Sequence, residues 1–562
     1  MTTPPYSVPT QAAQLLKHGL IFNSLHQSCP AEVQDTYKLI EFRGADLPSI
    51  PVNWRLAESI AAIKGFEASM LNVLLRRKLG IEPPKIVIDT DHAQLFFMAP
   101  LISTLNVDGK ELSPFGSAEF SKWFPSKVPV PHNTPCTNIY RTRDDRFYHI
   151  YGGLDPRPSQ SALGIPENHI PSPGELPSTI YEQKVSQIDA KTLDELINDQ
   201  YRQAGTICQS VNEYLSSEQG KANAHVGLYE LHHIPRSSQP PSWWEPPSHS
   251  TVDSSRPLRG LKVLDLSRII AAPTISRELA ELGASVLRIT SPNIPDLEAT
   301  NFDLGWGKWS AHLDLTDPEA RERLKVLIYE SDVVIDGYRP GVMEKWGFGK
   351  DDIIRMTKHR VEGIIYVRVN CYGWNGPLAH RSGWQQISDA HCGVSAGYGH
   401  AMKHEEPVTP VFPHCDYSTG VSGATGVLHA LIERAEKGGT FVLDVALNYY
   451  SQWLVRTGLK YPPNVWDHLW TKHQKPVFRH IDNMQVTIPT TLGLLRRNTP
   501  GLFNPEFLEI RYSKAIGAHV STVKPILQFP DGAVKPGFNV GCRPNGVDKA
   551  VWPTDLMVEV VT

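Results

Sequence analysis

A single acidic side chain precedes a run of small residues in the stretch CDYSTGVSGATG, residues 415–426. Apolar and small residues recur at helical spacing over 418–435, and two glycines at 438 and 439 indicate where this helix ends. The pattern places Asp416 one or two residues before the helix. Unpaired backbone N–H groups there stabilise a negative charge by about 0.3–1 kcal/mol. We therefore predict an ionised carboxylate with a slightly lowered pKa.

Two roles are open to this carboxylate. An Asp before a helix most often caps it, but Ser418 and Thr419 are better placed to do so, which leaves Asp416 available for chemistry. Three glycines stand every third residue in the first half of the helix: Gly420, Gly423 and Gly426. Each costs about 1 kcal/mol relative to Ala. Close packing of another backbone or of a ligand against that face would offset this cost.

Other titratable or nucleophilic side chains lie nearby in the sequence: His391–Cys392, His414–Cys415 and Asp389. The spacing of the histidine–cysteine pairs matches no tetrahedral zinc pattern, and cysteine commonly packs as a small apolar residue, so no metal site is predicted. A cysteine–histidine hydrolase is unsupported, because no oriented third partner is visible. We expect both histidines to be polar wall residues and Asp389 to be a weaker carboxylate candidate that faces solvent.

The elements that position these residues alternate between strand and helix. The predicted order is strand 261–267, helix 274–283, strand 285–290, helix 317–331, strand 332–336 and strand 361–369. Asp317 is placed as the N-cap of its helix and Pro318 as its first residue. This alternation indicates an α/β fold with a doubly wound, mainly parallel, Rossmann-like sheet. The first strand runs into SRIIAAP rather than GxGxxG, and a P-loop is absent, so an NAD, FAD or P-loop site is disfavoured.

A segment rich in Pro and Ser over 233–256 is the clearest linker, because it can neither continue a helix nor form a central strand. After it we predict a Rossmann-like catalytic domain over 257–459 and an irregular C-terminal region over 460–562. Before it, residues 1–232 are interpreted as a degenerate half-copy of the later part of the chain.

The half-copy interpretation rests on a weak internal repeat. Residues 71–98 and 428–454 both show an apolar helix, a basic turn, a strand that ends in Asp, and an aromatic helix. The position of Asp416 then falls near Glu58 and Ser59, so we expect the first half to have lost any matching chemistry. Chance similarity between amphipathic helix–strand units is the alternative.

Composition narrows the class of protein. The chain has 562 residues, a net charge of −4 and 41% hydrophobic residues, which is typical of a globular protein of two to four folding units. Nothing in this charge favours nucleic acid or an anionic membrane as a partner. Seven scattered cysteines without CxxC indicate a reducing compartment. The N-terminal sequence resembles neither a secretion nor a transit signal, and no stretch reaches 18 apolar residues, so we expect a cytoplasmic protein.

Six stretches resemble, in order, the class III CoA-transferase family, which includes formyl-CoA and carnitine CoA-transferases and the α-methylacyl-CoA racemases. They are PLRGLKVLDLSRIIAAPTISRELAELGASVLRI, GKWSAHLDLTDPEARERLKVLI, SDVVIDGYRPGVMEKWGF, YGWNGP, SGWQQISDAHCGVSAGYG and CDYSTG. The resemblance covers 257 to about 455. Residues 55–230 are more faintly similar to the later part of the family, with YRTRDDRFYHIYGG (140–153) similar to a strand of its smaller α+β domain. The chain thus looks partly duplicated or permuted.

The resemblance implies an acyl-CoA:carboxylate CoA-transferase with coenzyme A as substrate and no permanently bound cofactor. It assigns the nucleophile to Asp416, the aspartate of CDYSTG, which would form an aspartyl covalent intermediate. CoA contacts carry over to Ile269, Gly337, Tyr338 and Lys345. On chemical grounds Arg268 and Arg288 are neighbouring candidates for phosphate. The plainer interpretation is core packing for Tyr338 and a solvated face for the basic residues.

The sequence also departs from the family pattern. Thr290 and Ser291 stand where the family often has Glu and then Arg or Pro, and Ile270 replaces a polar residue of the transferases. Trp384 and Gln385 occupy the GHD-type motif whose His is the second base of the racemases, so transfer is favoured over racemisation. A racemase-like isomerase and a non-catalytic descendant that binds CoA or a partner protein stay as alternatives. The family resemblance implies a homodimer, although the two half-copies could instead form an intramolecular pseudo-dimer.

Overall fold

The computed structural model describes residues 6–26, 28–113, 122–123, 134–167, 169–245, 253–457, 459–559 and 561. Part of the predicted linker, 246–252, therefore lies outside the described residues. No helix in the described ranges is both long and apolar enough to cross a membrane.

The strands of the described residues are β1 (Ile40–Arg43), β2 (Ile86–Asp89), β3 (Thr104–Val107), β4 (Lys110–Leu112), β5 (Asn138–Arg141), β6 (Phe147–Tyr151), β7 (Ala204–Ile207), β8 (Glu230–Ile234), β9 (Lys262–Leu266), β10 (Ser285–Thr290), β11 (Lys308–His312), β12 (Val333–Asp336), β13 (Ile365–Asn370), β14 (Thr440–Ala446), β15 (Leu508–Ser513) and β16 (Ala518–Val523).

The α-helices of the same ranges are α1 (Val8–Gln14), α2 (Val33–Thr36), α3 (Leu56–Leu79), α4 (Thr90–Leu95), α5 (Ala99–Ile102), α6 (Arg157–Ala162), α7 (Thr179–Val185), α8 (Ala190–Asp194), α9 (Val211–Ser216), α10 (Glu218–Ala222), α11 (Ala271–Glu281), α12 (Asn301–Leu304), α13 (Pro318–Tyr329), α14 (Val342–Lys345), α15 (Lys350–Met356), α16 (Gln385–His391), α17 (Val394–Ala401), α18 (His414–Lys437), α19 (Leu447–Arg456), α20 (Pro463–Lys472) and α21 (Met484–Asn498). The π-helical turns Leu15–Ile21 and Glu195–Gln200 continue α1 and α8.

The largest sheet has seven strands in the order β11-β10-β9-β12-β13-β14-β8. Neighbours are parallel except β8, which is antiparallel to β14 at the edge. The predicted mixed α/β class with a mainly parallel sheet is therefore confirmed. The predicted strand over 285–290 is confirmed as β10. The prediction that Asp317 caps a helix beginning at Pro318 is also confirmed, because its side chain accepts the N–H of Glu319.

Helices cover both faces of this sheet because successive strand residues point to opposite sides. Val263 and Ile335 belong to a core that includes side chains of α3, α11 and α18. Their neighbours Leu264 and Val334 belong to a second core, filled by α13 and α15. Apolar strand residues are thus buried on both faces.

The two halves of the chain are interleaved. Helix α3, from the first half, packs along α18, and β8 completes the sheet of the second half. The C-terminal hairpin β15–β16 pairs with β3 in a four-stranded antiparallel sheet, and β5, β6 and β7 form another antiparallel sheet. The region expected to be irregular thus contains helices and a hairpin, and its strands are ordered by pairing with a distant segment.

Candidate active site

A cavity of about 320 Å³ opens between the two halves of the chain. Its lining includes the loops that follow the parallel strands β9 and β12, and the end of β13 with the residues after it. The first half contributes Tyr151, Gly152, Gly153, Leu154, Asp155, Pro158, Gln203 and Ala204. Crevices at the carboxyl ends of parallel strands are the usual ligand sites of open α/β sheets.

Asp416 lies in the wall of this cavity and is partly exposed to it. It is the third residue of α18, which begins at His414, so the predicted helix start at 418 is wrong and Asp416 stands inside the first turn. Pro413 is the N-cap residue and makes no side-chain capping bond. Within the part of the chain that the structure describes, the carboxylate of Asp416 has no hydrogen-bond or ion-pair partner.

Helix α11 approaches α18 closely at the glycines that follow Asp416. A Cβ at Gly420 would lie 2.4 Å from Cβ of Thr274 and 2.8 Å from the carbonyl oxygen of Ala271. A Cβ at Gly423 would lie 2.5 Å from Cδ1 of Ile275. Gly420 and Gly423 are thus explained by packing of α11, the helix that follows the Arg268–Ile269 loop, and Gly426 by packing of Leu443 from β14, rather than by a ligand.

Burial and the negative charge of Asp389 raise the pKa of Asp416 to about 8. The expected lowering by the helix N-terminus is therefore wrong in direction, because the cost of removing the charge from water exceeds the favourable field of the helix. At pH 7 about one Asp416 in ten would be ionised in the unliganded protein. A partly buried carboxyl group with such a pKa, in a cleft, is a functional-site candidate.

Asp389 does not face solvent as expected but is fully buried in α16. Gln385 donates from Nε2 to Oδ2 of Asp389 at 3.0 Å, and Nε2 of His414 lies 3.6 Å from the same oxygen. Neither Asp389 nor His414 belongs to the cavity lining. His391 is also buried outside the lining, with its ring against Tyr214 and Tyr372. Of these groups, Asp389 acts on Asp416 through its charge rather than by contact with a ligand.

Four of the predicted CoA contacts line the cavity with Asp416: Arg268, Ile269, Gly337 and Tyr338. The guanidinium of Arg268 lies 5.8 Å from the ring centroid of Tyr338 and donates to the carbonyl oxygen of Pro295. A Cβ at Gly337 would lie 2.6 Å from Cβ of Ser267, so the turns after β9 and β12 touch there. The structure thus brings the predicted nucleophile and these four residues to one cleft.

The phosphate candidate Arg288 and the predicted CoA contact Lys345 lie outside this lining. Arg288 is buried, and its guanidinium donates to protein oxygens of Asp296, Asn301 and Asn545. Lys345 is exposed on α14, with Nζ 5.1 Å from the ring centroid of Trp346. For Arg288, the structure shows a buried ion pair in place of a free cation, because the side chain points from β10 into the protein.

Arg339 was not predicted, although it follows Tyr338 directly in the sequence. It lines the cavity and donates from Nη1 to the carbonyl oxygen of Arg202. Burial and the positive charges of Arg268 and Arg202 lower its pKa. Two arginine side chains gathered at one wall of a cavity favour an anionic ligand there. The sequence offered one signal for this residue, because Arg339 lies in the stretch GYRPG directly after the predicted contacts Gly337 and Tyr338.

The first half also supplies an aromatic wall that the sequence did not reveal. Tyr151, at the end of β6, stacks on Trp384 with ring centroids 5.1 Å apart and planes 16° apart. Both residues line the cavity, and the charge of Asp416 contributes to the raised pKa of Tyr151. Gln385, beside Trp384, donates to Asp389 and to the carbonyl oxygen of Phe412. Neither side chain is a base at neutral pH.

Comparison with known proteins identifies the family of the chain. A family model described as CoA-transferase family III matches residues 258–461. The chain is 48% identical over 566 residues to an acetyl-coenzyme A transferase named nodX from Hypoxylon pulicicidum, covering 99% of this chain and 95% of that one. It is 27% identical over 515 residues to an acyl-CoA transferase from Gibberella moniliformis, covering 89% and 88%. A CAIB/BAIF family protein from Brucella suis shares 28% identity with a TM-score of 0.32, over 36% of this chain and 56% of that one. On the near full-length match at 48% identity, the chain belongs to CoA-transferase family III, the class III CoA-transferases.

Proposed function

We propose that the protein moves CoA between an acyl-CoA thioester and a carboxylic acid through a covalent intermediate on Asp416. The observation that carries the proposal is the carboxylate of Asp416, which has no partner among the described residues and lies in a cleft that also holds Arg268 and Arg339. A carboxylate committed to protein structure would have a donor, as Asp444 has in Arg368. The name of the 48% identical relative makes acetyl-CoA the first donor to test.

The first half-reaction begins when an oxygen of ionised Asp416 attacks the thioester carbonyl carbon. The C–S bond breaks, CoA leaves as a thiolate, and a mixed anhydride of Asp416 and the acyl group remains. The thiolate then attacks the aspartyl carbonyl carbon, which expels the acyl group as a carboxylate. Asp416 is left as its CoA thioester.

The second half-reaction reverses these steps with the acceptor acid. The acceptor carboxylate attacks the aspartyl thioester, the thiolate leaves, and it then attacks the acceptor carbonyl of the new anhydride. The products are a new acyl-CoA and the free Asp416 carboxylate. No proton is consumed over the cycle, so the site needs no general acid, in keeping with a wall formed by Trp384 and Tyr151.

The pKa of Asp416 sets the pH range of this chemistry. Only the ionised form is a nucleophile, so a pKa of about 8 in the unliganded protein places the acid limb of activity near pH 8. Bound substrate that places positive charge or hydrogen-bond donors near Asp416 would lower this value. A carboxylate in such surroundings is poorly solvated and therefore a strong nucleophile once ionised.

We propose that the sheet is a doubly wound, Rossmann-like unit that receives the nucleotide part of CoA. Counted from β9, its parallel strands run in the order 3-2-1-4-5-6, with the crevice beside β9 and β12 at the reversal. Arg268 follows β9 and Arg339 follows β12, so both flank that crevice. We assign them to the phosphates of CoA, which acts here as a substrate rather than as a resident cofactor.

We also propose that one chain forms a complete site as an intramolecular pseudo-dimer. Tyr151 and Gln203 of the first half line the cavity opposite Asp416 of the second half. Light scattering after size-exclusion chromatography tests the consequence, because activity in a species of one chain's mass requires no homodimer. Loss of activity on dissociation to that mass would contradict it.

Two other functions fit the resemblance less well. Racemisation needs a second base in the place of Trp384 and Gln385, and its diagnostic is solvent deuterium entering the α-carbon of a branched acyl-CoA. A non-catalytic descendant would bind CoA without forming any adduct.

Trapping tests the proposal directly. The protein is incubated with acetyl-CoA and then with hydroxylamine, which converts an aspartyl thioester to a hydroxamate, or with borohydride, which reduces it to homoserine. Peptide mass spectrometry should place the modification at Asp416 and find none in Asp416→Ala, whereas Asp389→Asn should still be labelled. If acetyl-CoA, succinyl-CoA and longer acyl-CoA donors all leave Asp416 unmodified, a binding function is favoured instead.

A further inference from the structure

Two histidines and two carboxylates meet at the β8 edge of the seven-stranded sheet. Glu230 stands directly opposite Asp444 in the β8–β14 pair, and His232 follows on the same face of β8. Nε2 of His232 lies 3.2 Å from Oδ2 of Asp444, and Nε2 of His225 lies 3.4 Å from Oε1 of Glu230. One ligand atom from each of Glu230, His232 and Asp444 lies within 4.8 Å of the others. These three side chains thus converge on a common space, and His225 lies beside it against Glu230.

Neighbouring donors hold both carboxylates in this orientation. Oε2 of Glu230 accepts from Nδ2 of Asn375 at 2.9 Å and from the hydroxyl of Tyr449 at 2.7 Å, which leaves Oε1 toward His225. Arg368 donates from Nε to Oδ1 and from Nη2 to Oδ2 of Asp444. Hydrogen bonds that fix a carboxylate from behind are characteristic of the surroundings of metal ligands.

The ligand set and its spacing suit zinc. Imidazole nitrogen and carboxylate oxygen bind Zn²⁺ at about 2.0–2.2 Å, so neighbouring ligands of a tetrahedral ion are about 3.3 Å apart. The histidine–carboxylate distances of 3.2 and 3.4 Å agree with that value. The two carboxylates together outweigh the single positive charge of Arg368, so the site keeps a net negative charge for a cation. The side chains of His225 and His232 are 64% and 49% exposed, which gives an ion a path in.

We propose that Glu230, His232 and Asp444 bind one zinc ion that joins the first half of the chain to the second, and that the exposed His225 beside Glu230 completes its ligands. The site is structural, because none of the four residues lines the cavity among the residues described. Its effect reaches the catalytic cleft through Asn375, in the loop that continues to Arg381 and Trp384 of the cavity wall. Sequence spacing missed it, because Asp444 comes from a distant strand.

Isothermal titration calorimetry of the full chain, stripped with a chelator and titrated with zinc chloride, tests this proposal. We expect one zinc ion per chain. His232→Ala and His225→Ala should each weaken binding by more than about tenfold, because even partners behind the ligands contribute tenfold to a hundredfold. His400→Ala is the matched control, since His400 is an exposed histidine 3.4 Å from Glu405 that lacks a second pair beside it.

Thermal unfolding gives an independent readout on the same proteins. Zinc should raise the unfolding temperature of the wild type and of His400→Ala, and should raise it much less in His232→Ala and His225→Ala. The side chains of the two histidines are 64% and 49% exposed, so both variants should fold. A loss of zinc stabilisation in either variant alone supports the proposal. Absence of binding to the wild type, or equal binding by all four proteins, would overturn the proposal.

Discussion

Helices α3 and α18 present the same local design with opposite outcomes. Each has 24 residues, ends at a glycine with φ of 65°, and carries an acidic residue at its third position, Glu58 or Asp416. Asp416 opens onto the cavity and has no partner among the described residues. Glu58 is fully buried and accepts hydrogen bonds from the hydroxyls of Tyr6 and Tyr461.

This difference distinguishes a carboxyl group that only has a perturbed pKa from one that can also react with a substrate. Burial raises the pKa of both carboxyl groups, so a raised pKa by itself does not identify the nucleophile. What distinguishes Asp416 is access, since a thioester can approach only where a cavity exists. At Glu58 the two tyrosines occupy the space in front of the carboxylate. The interpretation of the first half as a degenerate copy stays a prediction.

The largest expected effect is a loss of activity when Asp416 is replaced, compared with replacement of Glu58. Asp416→Ala and Asp416→Asn should abolish adduct formation and lower kcat/KM by at least about 10³-fold, as loss of a covalent nucleophile does. Glu58→Gln is the matched control and should keep activity within about threefold. Steady-state CoA transfer, read by mass spectrometry, measures both. Equal losses of activity in the Asp416 and Glu58 variants would contradict the distinction between the two carboxyl groups.

The next largest effect is expected for the arginines that line the cavity with Asp416. Arg339→Gln and Arg268→Gln should raise KM for the acyl-CoA by about tenfold to a hundredfold, because a hydrogen bond to a charged group contributes about 1.5–3 kcal/mol. The value of kcat should change less, since the phosphates are remote from the reacting carbon. Lys345→Gln, exposed and outside the lining, is the control with little change. A KM effect larger at Lys345 than at Arg339 would reverse our assignment.

A smaller effect is expected in the pH profile. The charge of Asp389 helps to raise the pKa of Asp416, so Asp389→Asn should lower that pKa and move the acid limb of kcat/KM to lower pH. Activity at pH 6 relative to pH 8 should therefore increase. Gln385 and His414 face Asp389 from its own helix and from α18. An unchanged acid limb would show that Asp389 only supports the fold.

The smallest effect is expected on the stability of the folded protein, through the fully buried Glu58. The pKa of Glu58 is raised above 4.5 in the folded protein, so the native state binds more protons and loses stability as pH rises above that value. Glu58→Gln cannot ionise and escapes this loss. Urea unfolding should show the free energy of unfolding of the variant rising relative to that of the wild type as the pH increases from 5 to 8. A difference between the proteins that does not change with pH would contradict the assignment.

Tyr461→Phe extends the same comparison. Removing a hydroxyl that donates to buried Glu58 should lower the free energy of unfolding by about 1 kcal/mol without changing the KM for acyl-CoA. Denaturant unfolding and steady-state kinetics on one preparation check both statements. A catalytic defect of the size expected for Arg339→Gln would mean that the first-half site is coupled to the cavity.

Predictions that rest on local signals agree with the structure. The apolar run that became β10 and the capping pair Asp317–Pro318 are recognised from neighbouring residues alone. The resemblance that led to Asp416 also led to four residues that line the same cavity, because loops after successive parallel strands meet at one edge.

Predictions that depend on distant residues were the ones that differed. The start of α18, the direction of the pKa shift of Asp416 and the burial of Asp389 all follow from α3, α11 and α16 packing around that helix. Arg288 was taken for a phosphate ligand, yet Asn545, from the other end of the chain, accepts its hydrogen bond.

The sequence by itself determined the alternation of strands and helices and the family. It also determined which acidic residue stands near the start of each of the two helices. Each of these features depends on short stretches of neighbouring residues. Only the tertiary structure decided which acid is usable. Access depends on whether side chains from remote segments, such as Tyr6 and Tyr461, fill the space in front of a carboxylate or leave it open.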